Sequence, residues 1–179
     1  MRIIAGAWRG RTLIAPKGDA TRPTADRTRE ALFSMLVSRL GSFEGLRVAD
    51  LFAGSGALGL EALSRGAAHC TFVETDRAAL DALKTNVAKL GATADIRAQS
   101  VLTLGAATQA FDLILMDPPY GTGAGIVALE KLTRMGWIAP SALISIETSN
   151  REEVTVAGYD GEPPRDHGKA RLTLLRPRS

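Results

Sequence analysis

The sequence predicts an α/β fold in which helices cover both faces of a mainly parallel sheet. Two observations lead to this prediction: apolar, strand-like runs alternate with segments of helical spacing, and a glycine-rich turn joins the first such run to a helix. Strands are expected near 46–52, 70–74, 94–98, 111–116, 142–147 and 170–175, with a further one near 153–158. Helices are expected at 58–64, 78–90 and 126–135, where Leu, Ala, Val and Ile recur every three to four residues.

Composition limits the function classes that remain open. The chain has 179 residues, of which 45% are hydrophobic and 23% charged, an ordinary balance for one globular domain. No apolar run is long enough to cross a bilayer and the start lacks a secretory signal, so we expect a cytoplasmic protein. With a single cysteine, Cys70, and two histidines, His69 and His167, the sequence predicts neither an internal disulfide nor a metal site.

The glycine-rich turn follows the first predicted strand and matches G-x-G-x-x-G through Gly54, Gly56 and Gly59. Such a turn lets the backbone approach a ligand closely, but the pattern does not separate a dinucleotide from another adenosine-bearing cofactor. Two acids at strand ends add information. Asp50 could hold the ammonium group of a methionine moiety, and Glu74 has the usual spacing for an acceptor of ribose hydroxyls.

The tetrapeptide 117–120, Asp-Pro-Pro-Tyr, directly follows an apolar run and is typical of enzymes that methylate an exocyclic amino nitrogen. Such a nitrogen is a poor nucleophile, so the enzyme must hold its N–H groups with acceptors and clamp the base. Asp117 offers a carboxylate, Pro118 a backbone carbonyl and Tyr120 a stacking ring. We expect direct methyl transfer without a metal, and an Asp117 that is ionised at neutral pH unless burial raises its pKa.

The first 45 residues stand apart from the alternation. They carry eight basic and four acidic side chains, a net charge of +4 against +3 for the whole chain. Two short strands are expected at 2–5 and 11–14, followed by a helix from about residue 24. The positive charge suits contacts with RNA, but it equally suits a solvated surface with Trp8 packed against the domain. We expect the cofactor crevice to be independent of this segment. The candidate RNA-binding residues are Arg2, Trp8, Arg9, Arg11, Arg22 and Arg27.

Over nearly its whole length the chain resembles bacterial 16S rRNA guanine-N2 methyltransferases of the RsmD type. The matching segments are 2–6, 8–11, 22–24, 26–27, 29–30, 32–33, 50–65 and 117–120, and the N-terminal ones are the most specific. The resemblance implies a class I, Rossmann-like, seven-stranded sheet with S-adenosylmethionine as methyl donor. It also implies a small N-terminal hairpin and helix, residues 1–45, before the methyltransferase domain, residues 46–179.

The same resemblance implies the site residues and the substrate. Asp117, Pro118 and Tyr120 would be catalytic, and the cofactor would be held by Asp50, Phe52, Gly54, Ser55, Gly56, Glu74, Gln99 and Asp117. The substrate would be the exocyclic N2 of one guanine in 16S rRNA, in an assembled or nearly assembled small subunit, and the enzyme a monomer. One departure is visible: Gln99 stands where related enzymes often place an acid for the adenine amino group.

Three other functions remain open at this point. DNA adenine-N6 methyltransferases share the tetrapeptide 117–120, and a small dehydrogenase would share the glycine turn. A non-catalytic RNA-binding assembly factor would keep the basic segment and tolerate the loss of Asp117.

Overall fold

The computed structural model describes residues 1–17 and 23–179. Within these residues the sequence forms four α-helices, eight strands and one short 3₁₀ helix, Val101–Thr103. The helices are α1 (Pro23–Leu40), α2 (Ala57–Ser64), α3 (Arg77–Leu90) and α4 (Ala124–Arg134). The strands are β1 (Arg47–Leu51), β2 (His69–Val73), β3 (Asp95–Arg97), β4 (Phe111–Met116), β5 (Ile138–Ser149), β6 (Tyr159–Gly161), β7 (Arg165–His167) and β8 (Ala170–Pro177).

One sheet contains all eight strands. Seven of them follow the order β3-β2-β1-β4-β5-β8-β6, and β7 pairs with β8. The first five run parallel, whereas β8 is antiparallel to β5. The predicted α/β class I sheet is therefore confirmed, with the short β7 as an eighth strand. The strand order reverses beside β1, which lies between β2 and β4, and a crevice is expected at the carboxyl ends of β1 and β4.

Side chains alternate between two apolar layers along the central strands. Val48 and Leu113 pack against α1, α2 and α3, whereas Ala49 and Ile114 pack against α4 and the 3₁₀ helix. A parallel sheet covered on both faces requires this nearly continuous apolar character, which explains why the sequence runs lack a polar side. Among the described residues, none of the helices combines the length and the hydropathy needed to span a membrane.

The strand expected near 153–158 is wrong. That segment is a loop, and the next strand, β6, begins at Tyr159. Both edges of β8 are already occupied, one by β5 and the other by β6 and β7, so the segment cannot pair with the strand beside it in the sheet. The apolar alternation that suggested a strand instead reflects Val156, which is buried, and Val154, which packs against the same core layer.

The N-terminal hairpin is reduced to a single antiparallel bridge between Arg2 and Thr12. Two backbone hydrogen bonds flank it, from Ile3 N to Arg11 O at 2.9 Å and from Leu13 N to Met1 O at 2.8 Å. The side chains of Ile3 and Leu13 are buried in the core layer that also contains α1. The segment is therefore a loop held by its packing rather than an independent hairpin.

Helix α1 begins at Pro23, one residue before the predicted start, and proline is favoured at the first helical position because its missing N–H would have no partner there. As predicted, Leu32, Met35 and Leu36 are buried, whereas Ala31 and Leu40 are partly exposed. Phe33, which the periodicity did not single out, is completely buried.

A buried carboxylate fastens the N-terminal loop to α2. Glu61 is completely buried and accepts hydrogen bonds from Ile4 N at 2.8 Å and Ala5 N at 3.1 Å. Its second oxygen also accepts Arg65 Nε at 2.9 Å. One turn further on, the Ser64 hydroxyl accepts Trp8 N at 3.0 Å. These bonds satisfy backbone groups that would otherwise be buried without partners.

Candidate functional site

A cavity of about 750 Å³ opens at the carboxyl ends of β1 and β4. Its wall combines the glycine turn, the end of β5, the start of α1, the turn between β7 and β8, and Asp117 and Tyr120 of the tetrapeptide 117–120. The predicted catalytic residue Pro118 does not line it. The predicted site residues Phe52, Gly54, Ser55, Asp117 and Tyr120 all line it. A volume of this size suits a small organic ligand or a single nucleotide base with part of a cofactor.

Strand register explains why these residues meet. Leu51 of β1 pairs with Met116 of β4, and Met116 pairs in turn with Ile146 of β5. The residue after each of these positions therefore emerges at the same edge of the sheet. Phe52, Asp117 and Glu147 become neighbours although 95 positions of sequence separate the first from the last.

Asp117, Tyr120 and Glu147 form one hydrogen-bonded group. The Tyr120 hydroxyl donates to Glu147 Oε2 at 2.6 Å. Desolvation of the carboxyl group by the surrounding protein, together with the charge of Glu147 and a hydrogen bond to it, raises the pKa of Asp117 to about 8. Burial and the same Glu147 contact raise the pKa of Tyr120. The exception attached to the expectation for Asp117, that its surroundings could raise its pKa, therefore applies in this structure.

Glu147 was missed by the sequence reasoning, although a usable signal existed. It is the last residue of the predicted strand 142–147, so the rule that singled out Asp50, Glu74 and Asp117 applies to it as well. Acids at the carboxyl ends of neighbouring parallel strands meet at one edge, and an Asp or Glu at that place is a candidate site residue.

The turn after β1 is conformationally unusual. Phe52 has a φ of 57°, a left-handed conformation that bulky side chains rarely adopt. Gly54 has a φ of 58°, and a side chain there would meet open space, so its backbone is accessible to a ligand. Gly59 serves packing instead, because an added Cβ would lie 2.4 Å from the ring of Phe72. Strain of this kind is often stored where a ligand binds.

Asp50 lies beneath the turn. Its side chain is 1% exposed, and its Oδ2 accepts a hydrogen bond from Gly59 N at 2.9 Å. Burial raises the pKa of Asp50 well above its ordinary value. The residue does not line the cavity, and its contact with an ammonium group stays a prediction.

Glu74 and Gln99 follow the ends of β2 and β3, and neither of them lines the cavity. Glu74 Oε1 accepts Gly54 N at 2.8 Å, and its Oε2 accepts the N–H groups of Thr75 at 2.7 Å and Asp76 at 2.8 Å. Gln99 donates from Nε2 to Thr103 Oγ1 at 3.0 Å, which orients its amide. Glu74 thus stabilises the glycine turn through its hydrogen bond with Gly54 N, a role that its spacing in the sequence did not indicate.

A buried amide on α3 joins the turn to the N-terminal loop, and no sequence pattern pointed to it. Asn86 is completely buried and donates from Nδ2 to Ser55 O and to Ile14 O, both at 3.0 Å. Its Oδ1 accepts Ile14 N at 2.9 Å. Asn86 therefore couples the position of Ser55 to the first segment of the chain.

The candidate RNA-binding residues have different surroundings. Arg2, Arg9 and Arg27 are exposed, and Arg22 lies outside the described residues. Arg11 is exposed but donates from its guanidinium to Lys89 O at 2.9 Å. Trp8 is partly buried against the core layer of α1. In the part of the chain that the structure describes, no group of three His, Cys, Asp or Glu side chains is placed to hold a metal ion.

Comparison with known proteins agrees with this architecture. Residues 1–175 match the family described as Conserved hypothetical protein 95. The chain is 41% identical to the ribosomal RNA small subunit methyltransferase D of Escherichia coli over 150 residues, which cover 83% of this chain and 74% of that protein. It is 40% identical to the protein of the same name from Haemophilus influenzae over 154 residues, which cover 83% of this chain and 78% of that one.

The solved structure of the Escherichia coli protein yhhF superimposes with a TM-score of 0.85 at 36% sequence identity. The match covers 99% of this chain and 98% of that structure, so the N-terminal segment and the sheet are both included. The chain therefore belongs to the family of the bacterial ribosomal RNA small subunit methyltransferase D proteins.

Proposed function

We propose that this protein transfers a methyl group from S-adenosylmethionine to the exocyclic N2 of one guanine in 16S rRNA of the small ribosomal subunit. One observation carries the proposal: Asp117 and Tyr120 line the same cavity as the glycine turn. The chain's relatives are ribosomal RNA small subunit methyltransferases. The protein would act in the cytoplasm as a monomer, on RNA within an assembled or nearly assembled subunit.

The cavity and the adjoining Pro118 would together offer guanine the groups that its edge requires. Guanine presents adjacent N1–H and N2–H donors, which Asp117 and the backbone carbonyl of Pro118 can accept together. The ring of Tyr120 is 45% exposed and is held at its hydroxyl by Glu147, so its face is available for stacking. The site's main contribution is orientation, which can supply roughly 7–11 kcal/mol in well-aligned systems.

The residues beside the cavity fit an adenosine-bearing methyl donor. The open space at Gly54 admits a close approach to its backbone, and the half-buried carboxylate of Glu74 lies one hydrogen bond away from that backbone. Glu74 would accept the ribose hydroxyls, and Gln99 would face the adenine. The donor supplies an electrophilic methyl group on sulfur, and the cavity would hold its methionine part against Phe52 and Ser55.

Mass spectrometry of 16S rRNA tests the proposed reaction. RNA from cells that lack the protein should lose one N2-methylguanine, and purified protein with S-adenosylmethionine should restore it on small subunits from those cells. A free guanine nucleotide should be a negligible substrate, because the base must be presented by structured RNA and turned into the cavity. An unchanged methylation pattern in the deletion strain would refute the proposal.

Replacing Glu74 with alanine should weaken S-adenosylmethionine binding by about 1–3 kcal/mol, because charge-assisted hydrogen bonds to the ligand and to Gly54 N disappear together. Titration calorimetry measures the change. Glu130→Ala, an exposed acid on α4, is the matched control and should bind as the parent does. An unaltered dissociation constant in Glu74→Ala would contradict the ribose contact and leave Glu74 only its bonds to the neighbouring backbone.

Replacing Arg9 and Arg11 together with alanine should weaken binding to small-subunit rRNA, because each arginine that pairs with a phosphate releases a counterion on binding. The slope of log affinity against log salt should fall by about one unit for each such arginine removed. Filter binding across a salt series measures both effects. Lys131→Ala with Arg134→Ala removes the same charge from α4, on the opposite face of the sheet, and should leave the slope unchanged. Equal slopes for the two double variants would place the RNA path elsewhere.

A further inference from the structure

Glu147 occupies a place at which two donors converge on one carboxylate. It accepts the Tyr120 hydroxyl at 2.6 Å, and Asp117 donates to it when protonated. All three side chains line the cavity, and Glu147 is partly buried there. Two carboxyl groups in hydrogen-bond contact do not both ionise readily, so the pair retains one proton before the base binds.

We propose that Glu147 is a positioning residue of the methyl-transfer site: it holds the Tyr120 hydroxyl and takes a hydrogen bond from protonated Asp117, so that the target base displaces the Asp117 proton on binding. The inference rests on the proposed function, because it concerns how that site receives guanine. It adds a residue that the tetrapeptide 117–120 does not contain.

The chemistry of the base explains the displacement. Guanine brings two N–H donors to Asp117 and the Pro118 carbonyl, and a carboxylate accepts such bonds more strongly than a neutral acid does. The proton leaves Asp117 for solvent, since Asp117 faces the open cavity. No covalent bond other than O–H changes in this step. The ionised Asp117 is then ready to accept one guanine donor beside the Pro118 carbonyl before the methyl group moves.

Other charged or titratable groups surround the pair on every side. Asp50 of β1 is close enough to Asp117 for the two charges to interact. The charge of Glu152, in the loop after β5, helps to raise the pKa of Tyr120. The cavity wall adds Asp26 and Arg29 of α1, His167 and Lys169 of the turn between β7 and β8, and Met1. After desolvation, however, it is the charge and the hydrogen bond of Glu147 that raise the pKa of Asp117. Removal of Glu147 is therefore the specific perturbation.

The pH dependence of kcat/KM for small subunits at saturating S-adenosylmethionine tests the proposal. In the parent, kcat/KM should rise on the order of tenfold between pH 7 and pH 8.5, as expected for a group with a pKa of about 8 that must lose its proton. In Glu147→Gln this rise should move to lower pH, because Asp117 loses the charge and the hydrogen bond that help to raise its pKa, while its desolvation remains. Tyr120→Phe should lower kcat/KM several-fold yet keep the rise, since the carboxyl pair remains.

Carbon NMR of labelled aspartate carboxyls in the protein without substrate gives a second readout. The Asp117 resonance, assigned from its disappearance in Asp117→Asn, should titrate near pH 8 in the parent and well below that in Glu147→Gln. Glu153→Gln, an exposed acid in the loop after β5, is the matched control and should behave as the parent in both measurements. The same titration in parent and Glu147→Gln would overturn the inference, as would a pH rise of kcat/KM in Glu147→Gln over the same pH range as in the parent. If the parent methylates no rRNA, the proposed function fails while this titration still decides the role of Glu147.

Discussion

Replacing Asp117 with alanine is expected to lower kcat for rRNA methylation by roughly 10²–10³-fold, the effect typical of removing one hydrogen-bonding group from a reacting centre. Asp117 faces the cavity together with Tyr120, whereas in the proposed site Glu74 and the glycine turn would meet the adenosine part of the donor. S-adenosylmethionine affinity should therefore stay within a few-fold of the parent value. Single-turnover kinetics and calorimetry separate the two effects.

The asparagine variant identifies the base. Asp117→Asn keeps the side chain's shape but offers one N–H, which would face a guanine donor, so activity on guanine should fall nearly as far as in Asp117→Ala. An adenine substrate would tolerate the amide, because adenine presents one donor beside one acceptor. Asp81→Asn, an exposed residue on α3, controls for nonspecific effects. Full activity of Asp117→Asn would favour adenine and count against the guanine assignment.

Replacing Glu61 with glutamine is expected to reduce the free energy of unfolding by about 3–5 kcal/mol, the cost typical of breaking a buried ion pair. The carboxylate accepts hydrogen bonds from Ile4 N, Ala5 N and Arg65 Nε. The NH₂ group of a glutamine in its place would point toward one of these N–H groups and could not accept its hydrogen bond. The buried Arg29 also loses the negative charge that Glu61 places near it.

Urea unfolding measures the change. The slope with denaturant should be unaltered, because the surface exposed on unfolding stays the same. Glu30→Gln on the exposed side of α1 should cost less than about 0.5 kcal/mol. A comparably small decrease in Glu61→Gln would mean that water replaces the carboxylate and that packing and the bonds to Ser64 and Asn86 hold the N-terminal loop.

The bonds of the N-terminal loop also change what is expected of a deletion. Charge alone suggested that residues 1–15 could be removed without disturbing the cofactor crevice. In the structure, however, Ile3 and Leu13 belong to the core, and Asn86 joins Ile14 to Ser55 of the glycine turn. A deletion would expose apolar surface and leave Glu61 without two of its donors. Point changes at exposed arginines are therefore the appropriate test of RNA binding.

The sequence by itself determined the features that depend on neighbouring residues in the chain. Apolar runs and helical spacing specify most of the strands and helices, and the turn 53–59 and the tetrapeptide 117–120 each carry their meaning within a few positions. In parallel sheets the carboxyl ends of the strands lie at one edge, so Phe52 and Asp117 could be expected there, although the strand order itself was not predicted. The loop at 153–158 escaped this reasoning because alternation reports burial and not strand pairing.

Only the tertiary structure decided the features that depend on contacts between distant segments. Three contacts show this. Asp117 interacts with Glu147, and Asn86 bonds to Ser55, although both pairs are far apart in the chain. Asp50 is buried beneath Gly59 because packing turns the two segments toward each other. The raised pKa of Asp117 is also a feature that only the tertiary structure decides. A carboxyl group's pKa depends on its desolvation and on charges within a few ångströms, and these distances exist only once the strands are aligned.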